Sequence, residues 1–321
     1  MIVIEDLYYN YGRKNKKKLN GNVHSELSIR NILIENGERV ALVGLNGSGK
    51  STLIKTLIGI LKPNQGKLYV NGMIPYSNRV KLVKDIGVIW GNRSTLWSDL
   101  TPVENLDILR KIYKSDKKKY NEIVKECVTN LGCDSFMNRQ IRRLSLGQRM
   151  KIEFIASIAH NPKILIYDEP FLGLDFLSKR DILMHIDKYL NTYNSTLLLT
   201  AHDIDDISYL CKKVALLNKG SLVAYETIET LIDFSHETVH KIEIEFDELP
   251  NIKDLNFVAE LDLSIITTDT NSNKILFQSK NKDYLNIVIS EILTLKNEVK
   301  NINFLDKSLN SSIEQMLLKR T

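Results

Sequence analysis

The run Gly44-Leu45-Asn46-Gly47-Ser48-Gly49-Lys50-Ser51-Thr52 follows the apolar stretch Arg39-Val40-Ala41-Leu42-Val43 and precedes leucines at 53, 57 and 61. No other segment restricts the fold as strongly. The apolar stretch reads as a buried strand, and leucines at i, i+4 and i+8 read as the inner stripe of a helix closed by Pro63 and Gly66. A strand that passes through a glycine-rich turn into a helix is the start of a parallel α/β unit. The glycines let successive N–H groups and the helix N-terminus face one point, which suits phosphate oxygens. Lys50 adds a positive charge there, and Ser51 offers a hydroxyl to magnesium. Residues 44–52 are therefore the candidate nucleotide-binding set.

Two further apolar strands end in reactive side chains. Asp168-Glu169 closes Lys163-Ile164-Leu165-Ile166-Tyr167, and a carboxylate pair at the end of a buried strand is costly without a cation. Adjacent side chains at a strand's end point oppositely. That geometry predicts Asp168 on the metal side and Glu169 as general base for an attacking water. His202 follows the apolar stretch Thr196–Thr200. Carboxyl ends of parallel strands face the ligand crevice, so His202 is expected to contact a terminal phosphate. Between the loop and the acidic strand stands Leu144-Ser145-Leu146-Gly147-Gln148. A Ser-x-Gly-Gln turn opening a helix suggests a second phosphate-gripping surface, one that serves a partner's nucleotide.

The remaining chain fits this plan. Of 321 residues, 43% are hydrophobic, ordinary for a chain that buries a full core. Residues 1–234 alternate strand and helix patterns, with mainly helical texture over about 95–160 and a hairpin around Asn218-Lys219-Gly220. After 235 the texture changes to short strands beginning with Lys241–Phe246, a helix around 282–297 and a terminal helix Ser311–Arg320, an accessory α+β unit. The tail 235–321 holds 10 Lys+Arg against 14 Asp+Glu, leaving 34 against 25 in residues 1–234. A basic front suits polyanions such as nucleotide phosphates. No apolar run approaches a membrane span, and Met1–Asp6 shows no leader pattern, so a cytosolic chain without direct membrane insertion is expected. Cys127, Cys133 and Cys211 lack metal or disulfide spacing. His236-Glu237-Thr238-Val239-His240 spells a zinc-protease pattern. Its β-branched residues and the adjoining strand speak for a linker instead.

On these motifs the chain resembles the ATP-binding subunit of an ABC transporter over roughly residues 1–230. The phosphate loop, the signature Leu144–Gln148, the strand ending in Asp168-Glu169, Gly173-Leu174-Asp175 and His202 occur in that family's order. Gly87–Ser94, Leu96–Leu100, Leu144–Met150, His202–Ile207 and Ser312–Met316 are similar to viologen- and daunorubicin-type exporter ATPases. The resemblance implies a P-loop ATPase of ABC type, with a parallel-sheet core, an antiparallel N-terminal β subdomain and a helical signature subdomain. It also implies an ATP- and Mg2+-dependent homodimer on the inner face of the membrane, docked on integral membrane permease subunits, with no nucleic-acid partner. ATP on one subunit's Lys50 would be capped by Ser145 and Gly147 of the other. Asp175 would couple the two sites, and Tyr11 would stack on adenine. The competing class is a soluble ABC ATPase with a regulatory or nucleic-acid-related role, against which the single uninterrupted cassette argues.

Two residues depart from the family pattern. Leu146 replaces the signature's commoner first glycine. Asn92 stands where the family carries a loop glutamine that reaches toward magnesium; one methylene shorter, it needs either a closer loop or a weaker contact. Asn92→Gln is expected to preserve or raise ATP turnover, measured by steady-state phosphate release, and a large loss would mean that the loop is built around asparagine.

Overall fold

Alternating apolar side chains create the first antiparallel pair. In the computed structural model, β1 (Ile2–Asn10) buries Ile2, Ile4 and Leu7 and pairs with β2 (Glu26–Ile34), Ile2 opposite Ile34 and Tyr9 opposite Leu27. The structure describes residues 1–12, 26–91, 93–201, 203–234, 240–250, 264–269, 273–279, 282–294, 299–305 and 313. Asn92, His202, the motif residues 236–239 and the expected terminal helix, apart from Ile313, lie outside them.

β3 (Arg39–Val43) runs through the glycine loop into α1 (Lys50–Leu57), and β4 (Gln65–Val70) returns beside β1. After the single turn α2 (Arg79–Leu82) comes β5 (Ile86–Trp90). Three helices follow: α3 (Pro102–Tyr113), α4 (Lys117–Asn130) and α5 (Leu146–Ile158). Pro102 occupies the first helical position of α3, behind a capping box between Thr101 and Glu104, the placement its missing N–H favours. Then come β6 (Ile164–Asp168), α6 (Phe176–Tyr193), β7 (Thr196–Thr200), α7 (Ile204–Leu210), β8 (Lys213–Asn218) and β9 (Ser221–Thr227). Lys219 and Gly220 both have positive φ, 47° and 79°, the pair that a tight hairpin turn requires.

The sheet order is β4-β1-β2-β9-β8-β3-β7-β6-β5. β8, β3, β7, β6 and β5 are parallel neighbours. Covered on both faces, such strands are apolar throughout rather than alternating, and all five residues of β7 are buried. Ile2, Ile29, Leu42, Ile54, Ile166 and Leu217 belong to one continuous core.

The helix after the glycine loop is shorter than its leucine stripe predicts. Leu53 and Leu57 are buried, but α1 stops at Leu57 and Leu61 lies beyond it. The terminator is Gly59 at φ 75°, not Pro63 or Gly66. Gly59 N–H donates to Thr56 O at 3.1 Å and Ile60 N–H to Lys55 O at 2.8 Å, the two bonds that close a helix through a left-handed residue.

The chain divides into compact units Met1–Thr227 and Ile228–Thr321. α8 (Ile228–Phe234) thus falls in the second unit, ahead of the boundary expected after residue 234. That unit contains β10 (His240–Phe246), β11 (Ser264–Asp269), β12 (Lys274–Ser279), α9 (Lys282–Thr294) and β13 (Val299–Leu305). Its strands run β11-β12-β10-β13, the order of a split βαβ sheet. The alternation in β10 turns Ile242, Ile244 and Phe246 inward onto Phe277, Val288 and Ile292. On β10, Glu243 pairs with Lys274 at 2.9 Å. β13 differs from the expected all-helical ending: Val299-Lys300-Asn301-Ile302-Asn303 is too rich in Asn and Lys to register as a strand by itself, and pairing with β10 makes it one. Cys127, Cys133 and Cys211 are free, burial pushing each thiol up to about 12.

Gly59→Ala is expected to lower stability by about 1–2 kcal/mol or more from the left-handed backbone alone. The new Cβ would also meet Pro75 O at 2.5 Å. Urea unfolding against wild type measures the loss.

Candidate active site

Parallel strand ends place the candidate residues on one edge. β3, β7 and β6 lie side by side in that order, so the exits at residues 44, 201 and 169 open into one crevice. At the first exit the backbone curls through Gly47 at φ 82° and Gly49 at φ 105°. Gly44 has no room for a side chain, since a Cβ would sit 2.2 Å from Leu217 O and 2.6 Å from Ser48 Oγ. Leu45 and Asn46 are exposed on the loop. Gly49 caps α1 without a side-chain hydrogen bond. The first-turn N–H groups of α1 therefore remain available to an anion.

Lys50 Nζ donates to Gly44 O at 2.6 Å and Leu45 O at 3.2 Å, which holds the amine over the loop. Burial pulls it below the ordinary lysine value, and the Glu169 and Asp168 charges oppose that shift. Ser51 Oγ donates to Asp168 Oδ2 at 3.4 Å. This hydroxyl–carboxylate pair fits magnesium, which takes few protein ligands and fills its shell with water and phosphate oxygens. No cluster of three or more acidic, His or Cys metal ligands exists among the described residues, as such a site requires none. Tyr11, edge-on to Tyr9, has its hydroxyl 3.0 Å from Thr52 Oγ1, which brings the tyrosine beside the phosphate-loop helix.

The second exit differs from the opposed pair expected at a strand's end. The strand stops at Asp168, and Glu169 takes φ 53°. A left-handed corner, rather than strand alternation, directs its carboxylate. Thr200, missed by the sequence reading, secures this corner. Its Oγ1 donates to Asp168 Oδ1 at 2.7 Å and accepts from Glu169 N–H at 2.9 Å. The available signal was a hydroxyl residue closing an otherwise aliphatic strand end. β5 also meets the corner: Gly91 N–H donates to Asp168 O at 2.6 Å, and a Cβ there would be 2.0 Å from Glu169 O.

The signature residues open α5. Ser145 Oγ accepts from Gln148 N–H at 3.2 Å while Gln148 Oε1 accepts from Ser145 N–H at 3.1 Å, leaving Ser145 exposed. Leu144 precedes this cap in extended conformation. Gly147 is buried, and a Cβ on it would lie 2.4 Å from Ser178 Oγ. Leu146 faces Gly173, its Cδ2 3.2 Å from where a Cβ would stand, so the leucine fills space that Gly173 leaves. Asp175 caps α6, accepting from Ser178 N–H at 2.9 Å and Ser178 Oγ at 2.7 Å. These bonds hold its carboxyl below the usual range. Lys179, one residue on, bridges to Asp203 at 2.5 Å and Asp206 at 2.7 Å, tying α6 to the segment leaving β7.

Thr200→Val preserves shape but removes both side-chain bonds at the Asp168–Glu169 corner. It is expected to lower kcat for ATP about tenfold or more, in the range of lost preorganisation. Single-turnover phosphate release checks this, with nucleotide affinity expected to stay near wild type.

A family model described as ABC transporter matches residues 27–172. The chain is similar to the ABC transporter ATP-binding protein NatA of Bacillus subtilis, 28% identical over 202 residues, covering 63% of this chain and 82% of that one. It is 31% identical over 223 residues to the uncharacterized ABC transporter ATP-binding protein YdbJ of the same organism, covering 70% and 69%. A probable sulfate/thiosulfate import ATP-binding protein, CysA of Chlorella vulgaris, is 31% identical over 213 residues, covering 65% and 87%. Among solved structures, an ATP-binding subunit of an ABC transporter superposes with a TM-score of 0.63 at 25% identity, covering 73% of this chain and 92% of that one. The cbiO1 protein of Clostridium perfringens, part of the ABC transporter complex cbiONQ, gives 0.61 at 25% identity, covering 74% and 91%. With its mixed sheet, phosphate loop and acidic strand end, the chain belongs to the ABC transporter ATP-binding family and is an ATP-hydrolysing cassette.

Proposed function

We propose that this chain hydrolyses magnesium–ATP as a homodimer to drive export through separately encoded integral membrane permease subunits. The observation that carries the hydrolytic part is the meeting of Lys50, Ser51, Asp168, Thr200 and Glu169 at one sheet edge. The N–H groups of Gly47 and of residues 49–52 cradle the β- and γ-phosphates, Ser48 N–H being held by Leu45 O, and Lys50 leaves the Gly44 and Leu45 carbonyls for phosphate oxygens. Ser51 and Asp168 hold magnesium, which supplies charge neutralisation when bound, with Asn92 as a further candidate contact. Glu169 orients water for in-line attack and accepts its proton. His202 contacts the γ-phosphate, and Tyr11 stacks on adenine. Leu144–Gln148 of a second copy close the site, the exposed Ser145 and the α5 N-terminus facing the γ-phosphate, while Asp175 couples the two sites.

The export direction rests on the likeness of residues 87–100, 144–150 and 202–207 to viologen- and daunorubicin-type ATPases. A relative described as an import protein supports the opposite direction as second reading. No helix among the described residues is long and apolar enough to cross a membrane. In this reading the subunit is cytoplasmic, held peripherally on the membrane's inner face by its permease, with residues 235–321 as an accessory domain. No nucleic-acid partner is proposed.

Glu169→Gln is expected to retain ATP binding, lower turnover by about 10²-fold or more, and trap an ATP-dependent dimer visible by size-exclusion chromatography. Near-normal hydrolysis would exclude Glu169 as the base. Co-purification with a multi-span protein from membranes supports the transporter reading, and RNA-stimulated turnover without membranes overturns it. ATP-driven uptake into everted vesicles separates export from import.

A further inference from the structure

Glu153 sits midway along α5, the helix that Ser145 opens, and is 4% exposed. A carboxylate is rarely that buried unless partners replace its water. Three donors from one short segment after β5 meet it. Ser94 Oγ donates to Oε1, Thr95 N–H donates to Oε1 at 3.0 Å, and Thr95 Oγ1 donates to Oε2 at 2.5 Å. Ser94 Oγ also accepts from Leu96 N–H at 3.1 Å. Farther along, fully buried Asn105 accepts from Trp97 N–H at 2.8 Å and donates to Trp97 O at 3.1 Å. The segment is thus held at both ends, and Glu153 is the hold on α5.

The other end of this segment reaches the hydrolytic corner. β5 leaves the sheet at Gly91, which is bonded to Asp168 O and packed against Glu169 O. A route of direct contacts therefore runs from the Asp168–Glu169 corner to Gly91 and β5, across the Trp90–Arg93 bridge, and through Ser94 and Thr95 to Glu153. From there α5 carries it about 12 Å back to Ser145, at the helical rise per residue. A side chain that only filled space would need no hydrogen-bonding group. A charge buried against three donors instead fixes one geometry, at the cost of removing a carboxylate from water.

We propose that Glu153 is a positioning residue that fastens the 94–95 segment to the signature helix. The hydrolytic corner of one copy then sets the placement of the Ser145 that it offers to the other copy's nucleotide. This rests on the reading of Ser145 as serving a second copy.

The test compares E153A, E153Q and the double variant S94A/T95A in the full chain, measuring kcat, KM for ATP, nucleotide affinity and Tm. Glutamine keeps the length and an acceptor for Thr95 N–H, and the two hydroxyls can rotate to meet its amide. Ser94 and Thr95 are exposed, so their double variant tests the junction even if E153A fails to fold. E153A and S94A/T95A are each expected to lower kcat about fivefold or more, with nucleotide affinity within about twofold of wild type and E153Q restoring most of the rate. In mixed dimers, E153A is expected to depress turnover more when it shares a chain with E169Q than when it lies on the opposite chain. In the first arrangement the surviving site depends on the altered chain's Ser145. Wild-type kcat in S94A/T95A, equal falls in kcat and ATP affinity, or equal turnover of the two mixed dimers overturns the proposal. Wild-type turnover insensitive to K50A would instead defeat the ATPase-site reading on which it rests.

Discussion

The hydroxyl of Thr200 joins the strands on which the site depends. Trp90, Asp168 and Thr200 are cross-strand neighbours on β5, β6 and β7, so the residue that satisfies Asp168 stands in register beside it. A slip of one residue would turn the opposite face of the strand toward Asp168. Close packing opposes that slip, because Leu165, Ile166, Leu198 and Leu199 each fill a fixed place in a core that covers both faces of the strands. Core packing and site geometry are thus one constraint, applied at opposite ends of the same strands.

Much of this was legible in the sequence because the determining interactions are local. The phosphate loop needs glycines where the chain takes left-handed φ, and Gly47 and Gly49 stand there. The helix start at Ser145 and the turn at Lys219-Gly220 are likewise decided within four residues. What remained hidden depends on partners distant in sequence. Thr200 and Asp168 are 32 residues apart, and Glu153 meets Thr95 across 58. No periodicity marks such pairs. The left-handed Glu169 was hidden for another reason: an acidic residue after a strand ordinarily continues it, and only the bonds from Thr200 and the close approach of Gly91 show the turn.

The second unit follows a separate logic. β10 alternates, with one face apolar and the other carrying Glu243 and Glu245 near Lys274. The parallel strands of the first unit are buried on both faces and carry their polar groups at their ends. A two-sided sheet offers chemistry only along its edge, whereas a one-sided sheet keeps a polar face. The family match over residues 27–172 ends before this unit begins, so its role is not inherited from the motifs that identify the first.

Glu169 sits in a backbone conformation that glycine or asparagine would adopt with less strain. The fold would relax if the carboxylate were exchanged for either of them, yet with Glu169 as the proposed base the exchange would remove the group that activates water. Selection for thermal endurance alone would therefore push this position toward inactivity. On that reading the strained corner is the cost of placing a carboxylate there, and a relative with glycine or asparagine at this position would be expected to bind nucleotide without turning it over.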